Sequence, residues 1–253
     1  MEYQENTNKE EKSNDNSLNK HLSIFHELIL FVIGFLGLSL FGTIFNEIFK
    51  SLGMDDSSIQ TQNWVNFSTY LVLIISCLAV IGPKGIKIIG KQFKHSKNIF
   101  DGITFAIILI IGSIVINTIF TYIGKAMGLD MTVNDNESII RSVIKEMPVL
   151  SFCFVVILGP ATEELTYRVG LFGLIKKKNK YLALICSAVI FALIHFNISA
   201  TGDEMIIELL NLPSYLFAGF ILGYSYSYND SFVTSWTTHT INNLLSYISV
   251  LIN

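Results

Sequence analysis

Glu163, Glu164 and Arg168 sit in the stretch Pro160–Arg168, PATEELTYR, inside a segment otherwise apolar enough to enter a lipid bilayer. A charge at membrane depth costs roughly 2.5–3.5 kcal/mol on the insertion scale, so such residues are paired within the protein or functional. On a helix Glu164 and Arg168 are four apart and share a face, with the acid first, the better orientation. Glu163 points about 100° away and has no partner on its own helix. This division leaves Glu164–Arg168 as a structural ion pair and Glu163 free for chemistry. A second reading, in which all three only hold helices together, stays open on these residues alone.

Two further residue pairs carry polar groups into apolar segments. His195 follows Phe191 by four residues, and Asn243 follows His239 by four, so each pair shares a helical face. Of the five histidines, only these two lie well inside apolar stretches. A lone intramembrane histidine is often a hydrogen-bonded packing residue. Two of them, with a His/Asn pair and an unpaired glutamate, are together harder to dismiss as packing.

The elements that must position these groups are transmembrane helices. The chain of 253 residues is 51% hydrophobic and 15% charged, against about 25% charged in soluble domains. Residues 1–20 are polar, of mixed charge, and read as a disordered tail; residues 21–253 read as one integral membrane domain. Spans need about 20 apolar residues. Leu28–Phe45, Val65–Gly82, Ile103–Gly124, Met147–Ile175, Tyr181–Asn197, Leu209–Tyr226 and Phe232–Ile252 meet that need. The expected fold is all-α, a multi-pass bundle of about seven helices. The first span reads as retained, not as a cleaved signal.

Charge placement orients the bundle. Lys84, Lys87, Lys91, Lys94 and Lys97 crowd one connection, and Lys176, Lys177, Lys178 and Lys180 the next on that side. The alternate connections hold Asp55, Asp56, Asp130, Asp135, Glu137, Asp203, Glu204 and Glu208. By the positive-inside rule the lysine connections and the N-terminus are cytoplasmic. Nothing in the net charge of −3 suggests nucleic acid, and Cys77, Cys153 and Cys186 lack metal or disulfide spacing.

Depth relates the candidate residues. Glu163 is 13 residues before Lys176 and His195 is 14 after Tyr181, so both lie roughly 20 Å from their cytoplasmic helix ends. His239 would be only about 10 Å deep if its helix starts near Phe232. A start within Ser225–Ser231 would bring it level.

Glu163-Glu164-x-x-x-Arg168, Phe191-x-x-x-His195 and His239-x-x-x-Asn243, in this order over about residues 145–250, resemble the CPBP intramembrane proteases. That family contains the type II CAAX prenyl endopeptidases, generally drawn with eight helices, and bacterial bacteriocin-processing and self-immunity proteins. The resemblance implies a multi-pass protease of the bacterial cell membrane, acting on a membrane-associated peptide or protein. Glu163 would be the general base that activates water, and His195 would help bind and polarise it. His239 and Asn243 would donate to the oxyanion, where one donor is typically worth ~2.7–4 kcal/mol. Glu164, Arg168 and Phe191 would support them.

No cofactor is expected in this reading. Two histidines and a glutamate are also a zinc ligand set, so Glu163, His195 and His239 could instead hold zinc, although the HExxH spacing is absent. A non-catalytic scaffold binding a peptide or another membrane protein is the alternative from a different class.

Overall fold

The computed structural model describes residues 17–131 and 135–252, with the side chains of 135–137 left aside. Most of the expected 1–20 tail lies outside those residues. Its last part does not behave as a tail: Ser17, Leu18 and Asn19 are buried. Leu18 packs with Ile81, Ile88 and Phe172, and Asn19 donates to the Val169 carbonyl at 2.9 Å. An apolar residue in a polar run found a bundle end to cover.

The fold is all-α. The eight helices among the described residues are α1 Ile24–Ser51, α2 Ile59–Lys94, α3 Ser96–Ala126, α4 Asp135–Glu146, α5 Pro148–Lys176, α6 Lys180–Leu193, α7 Asp203–Asn229 and α8 Phe232–Ile252. Five of them, α1, α2, α3, α5 and α7, are long and apolar enough to cross a membrane, and α6 is a shorter apolar helix. The expected fifth span, Tyr181–Asn197, therefore ends early, and His195 stands just past the helix C-terminus. The seventh, α8, has the expected length, but its Thr, Ser, Asn and His residues keep it out of that apolar class.

Two connections differ from the expected loops. Residues 83–94, expected as a lysine loop, are helical: α2 continues through a kink at Gly82. Gly82 has φ 65°, a left-handed backbone that glycine adopts without penalty, and Pro83 follows it as the first residue of the new segment. Between Ala126 and Pro148 the chain also forms α4, a short helix with an apolar side. Its Ile144 packs with Val156, Tyr247 and Val250.

The most buried helix is α5, half of whose apolar window lies inside the protein. It is also the irregular one. Phe152–Leu158 and Glu164–Phe172 are π-helical, with α-helix at Gly159–Glu163 between them. π segments inside α-helices are frequent at functional sites.

Candidate active site

The candidate site forms where α5 faces α8, beside the C-terminal end of α6. Pro160 explains how α8 is held there. In the π segment the Gly159 N–H bonds the Phe154 carbonyl five residues back. The next such bond would run from residue 160 to Val155, and proline has no N–H to give. The Val155 carbonyl is satisfied instead by Asn243 Nδ2 at 3.0 Å. Trp236 Nε1 reaches the Ile157 carbonyl at 3.4 Å. Trp236, His239 and Asn243 lie three and four apart, on one face of α8. The two backbone contacts therefore fix the helix on either side of His239.

Within that frame His239 meets both glutamates. Its Nδ1 lies 2.9 Å from Glu164 Oε1, and its Nε2 lies 3.7 Å from Glu163 Oε2. Glu164 and Arg168 are fully buried, with Arg168 Nε 3.3 Å from Glu164 Oε2. The expected ion pair is present. Neither atom of that contact has hydrogen-bond alignment, so it is a charge contact. Arg168 is held further by Ser187 Oγ at 3.3 Å and by the Phe191 ring, whose centroid is 4.7 Å from the guanidinium carbon. Ser187 in turn donates to the Tyr167 carbonyl.

Glu163 differs from Glu164 in exposure. Its side chain is 20% exposed against 0%, and its Oε2 has no hydrogen-bond partner. A carboxylate that is reachable, and held close to a histidine without being bonded to it, can take a proton from a third molecule.

His195 is joined to this centre through Phe191. The Phe191 ring is 4.7 Å from the His195 ring and 5.9 Å from that of His239. His195 Nδ1 lies 2.8 Å from the Phe191 carbonyl. A carbonyl only accepts, so Nδ1 carries the proton, and in the neutral ring Nε2 is left as an acceptor. Tyr215 of α7 stacks on the His195 ring, with centroids 5.1 Å apart and planes at 19°. The chain beyond His195 is tied down by Glu208, whose Oε2 accepts from the Asn197 N–H at 3.1 Å.

All seven residues singled out in the sequence lie in this neighbourhood. Sequence reasoning missed Ser187, Glu208 and Tyr215. Ser187 precedes Phe191 by four, so helical spacing could have found it. Glu208 and Tyr215 stand in no motif, and only the packing of α7 against α6 reveals them. Among the described residues no group of three or more His, Cys, Asp or Glu side chains is arranged to hold a metal ion. Glu163, His195 and His239 are not gathered as ligands: the first and last lie in ion-pair range, and an aromatic ring connects the third.

Known proteins share similarity with this part of the chain. Residues 145–245 match the family described as type II CAAX prenyl endopeptidase Rce1-like. The chain is 34% identical over 103 residues to UPF0177 protein YxdF of Lactococcus lactis subsp. lactis, a match covering 40% of this chain. It spans about half (51%) of that curated relative's length. No solved structure matches. Over the segment carrying Glu163, His195 and His239, this integral membrane protein is similar to the Rce1-like endopeptidases, which supports the expected resemblance to the CPBP intramembrane proteases.

Proposed function

We propose that the protein is an intramembrane endopeptidase that hydrolyses a peptide bond in a membrane-associated peptide or protein, using Glu163 as general base. The observation that carries this reading is the unequal treatment of two adjacent carboxylates: Glu164 is sealed against Arg168 and His239, while the Glu163 side chain is 20% exposed and its buried Oε2 lies beside Nε2 without a hydrogen bond. A pure helix-binding role would give no reason for Glu163, unlike its neighbour, to be partly exposed.

Water bound between Glu163 and the acceptor Nε2 of His195 gives one proton to the Glu163 carboxylate. Its oxygen bonds to the scissile carbonyl carbon, and the carbonyl oxygen takes the negative charge. Asn243 has a second amide N–H beyond the one given to Val155. His239 donates from Nε2 when both ring nitrogens carry protons, with Nδ1–H held by Glu164. Collapse of the intermediate breaks the C–N bond, and the proton on Glu163 passes to the leaving amine. Donors fixed before the charge develops are the larger share of such catalysis.

The reaction so described uses water and side chains only, with no cofactor. The lysine-rich end of the bundle would face the cytoplasm of a bacterial cell, with the N-terminus on that side. Bacteriocin self-immunity and peptide maturation are the roles the family offers. The deciding experiment compares peptides released by cells carrying wild type and Glu163→Ala. A product missing from the variant, and insensitive to chelator in the wild type, supports the proposal. Unchanged products from Glu163→Ala at equal expression would overturn it.

A further inference from the structure

The helical segment 83–94 presents a face the proposed chemistry does not use. Successive residues on a helix turn about 100°, which places Lys84, Lys87, Lys91 and Lys94 within an arc of about 80°. All four are exposed, and so is Lys97 just beyond. None of the five forms an ion pair among the described residues. Gly85, Ile88 and Gln92 lie on a different arc and are buried against the bundle. Ile86 and Phe93 fall on a third arc, 46% and 41% exposed. The segment thus has a bundle side, an apolar side and a cationic side.

Its place along the chain fixes how it lies. The apolar part of α2 ends at the Gly82 kink, and α3 starts at Ser96 after His95 alone. Two successive spans leave and re-enter the bilayer on the same surface. The twelve residues between Gly82 and His95, about 18 Å of helix, therefore run along that surface. The Val233 N–H contact with Gln92 Oε1, and the pairing of nearby Asp230 with Lys176, put the second lysine cluster at the same end. There Lys176 is paired with Asp230 and Lys177 with Glu27.

We propose that residues 83–97 form an interfacial binding site for anionic phospholipid headgroups. Ile86 and Phe93 would enter the acyl boundary, and the lysines would reach the phosphates above it. A helix with an apolar side and a lysine side lies in the membrane interface in this way, and each lysine adds attraction to an anionic surface. The charge complementarity is one-sided, since residues 83–97 contain no acid.

The molecule carries its own probe. Its two tryptophans are Trp64 and Trp236, and the Trp236 ring contacts Phe93 at 5.5 Å. The full chain carrying Trp64→Phe is reconstituted in mixed phosphatidylcholine and phosphatidylglycerol vesicles, with bromine on one lipid or the other. Brominated phosphatidylglycerol is expected to quench Trp236 in preference to brominated phosphatidylcholine, with at least about a fivefold higher relative association, the contribution of a single lysine. Replacing Lys84, Lys87, Lys91 and Lys94 by glutamine should abolish the preference, whereas arginine at all four should keep it. Salt near 1 M, where the Debye length is ~3 Å, should also remove it. Equal quenching by both lipids, or a preference that survives the glutamine variant, overturns the proposal. So does a preference seen only after deletion of residues 1–16, which hold five acids and two lysines: the occupant would then be the chain's own N-terminus. None of these readings depends on proteolysis.

Discussion

Glu164 holds His239 in place: its Oε1 lies 2.9 Å from Nδ1, while its other oxygen faces Arg168 at 3.3 Å. The carboxylate thus links a buried cation to a ring whose far nitrogen points at Glu163. Glu163 has no comparable bond. Two adjacent residues of one chemical type therefore stand in different surroundings, one sealed and one partly exposed, and the proposed function gives them separate roles.

Substitution should separate those roles. Glu163→Gln is expected to lower the rate of peptide hydrolysis by at least about 100-fold, the lower end for a general base. Its thermal stability in detergent should change by less than about 0.5 kcal/mol, since no hydrogen bond is lost. Glu164→Ala leaves the Arg168 charge buried and unpaired, and should cost about 3–5 kcal/mol. Equal stability losses in the two variants would show that the residues share one structural role.

The division between the glutamates was legible in the sequence because helical phasing depends only on spacing. The Phe191–His195 contact followed from the same rule, and the all-α class from the lengths of the apolar stretches. Depth was not legible. Placing His239 against Glu163 looked difficult because a start near Phe232, where α8 does begin, leaves His239 about 10 Å deep against roughly 20 Å for Glu163. The π segments account for part of that difference, since an i→i+5 helix advances less per residue. Along the interface His239, Asn243 and Tyr247 meet Glu163, the Val155 carbonyl and the Pro148 carbonyl. Four residues of α8 match eight, then seven, of α5. No residue pattern announces a π-helix, although Pro160 marks where the ladder must fail. The helical lysine segment was missed for a related reason. Its charge run suggested a loop, yet its apolar residues recur at helical spacing.

Tyr215 should tune His195 without being essential. The stacked ring fixes the imidazole plane, and an aromatic pair is worth about 0.5–1.5 kcal/mol. Tyr215→Phe keeps the stack and should retain activity. Tyr215→Leu should lower kcat/KM about 2- to 10-fold. Identical losses in the two variants would mean that the hydroxyl matters and not the ring.

At Gly170 the backbones of α1 and α5 come close together. A Cβ there would lie 2.8 Å from the Phe31 nitrogen and 3.1 Å from the Glu27 carbonyl oxygen. Main-chain atoms cannot rotate away as a side chain does. Gly170→Ala should therefore destabilise the fold by about 1–3 kcal/mol, the usual cost of overpacking. Retained stability, measured by thermal unfolding in detergent, would show that the two helices can separate freely.

The Val155 carbonyl offers the sharpest test of how α8 is registered. Asn243→Ala removes its donor, and a buried acceptor left without one costs about 1–3 kcal/mol. Pro160→Ala restores a backbone N–H five residues on, where the π ladder can use it. If Asn243 serves the bond that proline omits, the two substitutions are coupled. Asn243→Ala should then cost less in the Pro160→Ala background, by an interaction energy of about 0.5–3 kcal/mol. Trp236→Phe is the control. Its partner, the Ile157 carbonyl, is not the acceptor that Pro160 leaves empty in the π ladder, so its effect should add to that of Pro160→Ala. Additivity of the Asn243 and Pro160 effects as well would break the proposed link, and would leave the position of His239 to side-chain packing alone.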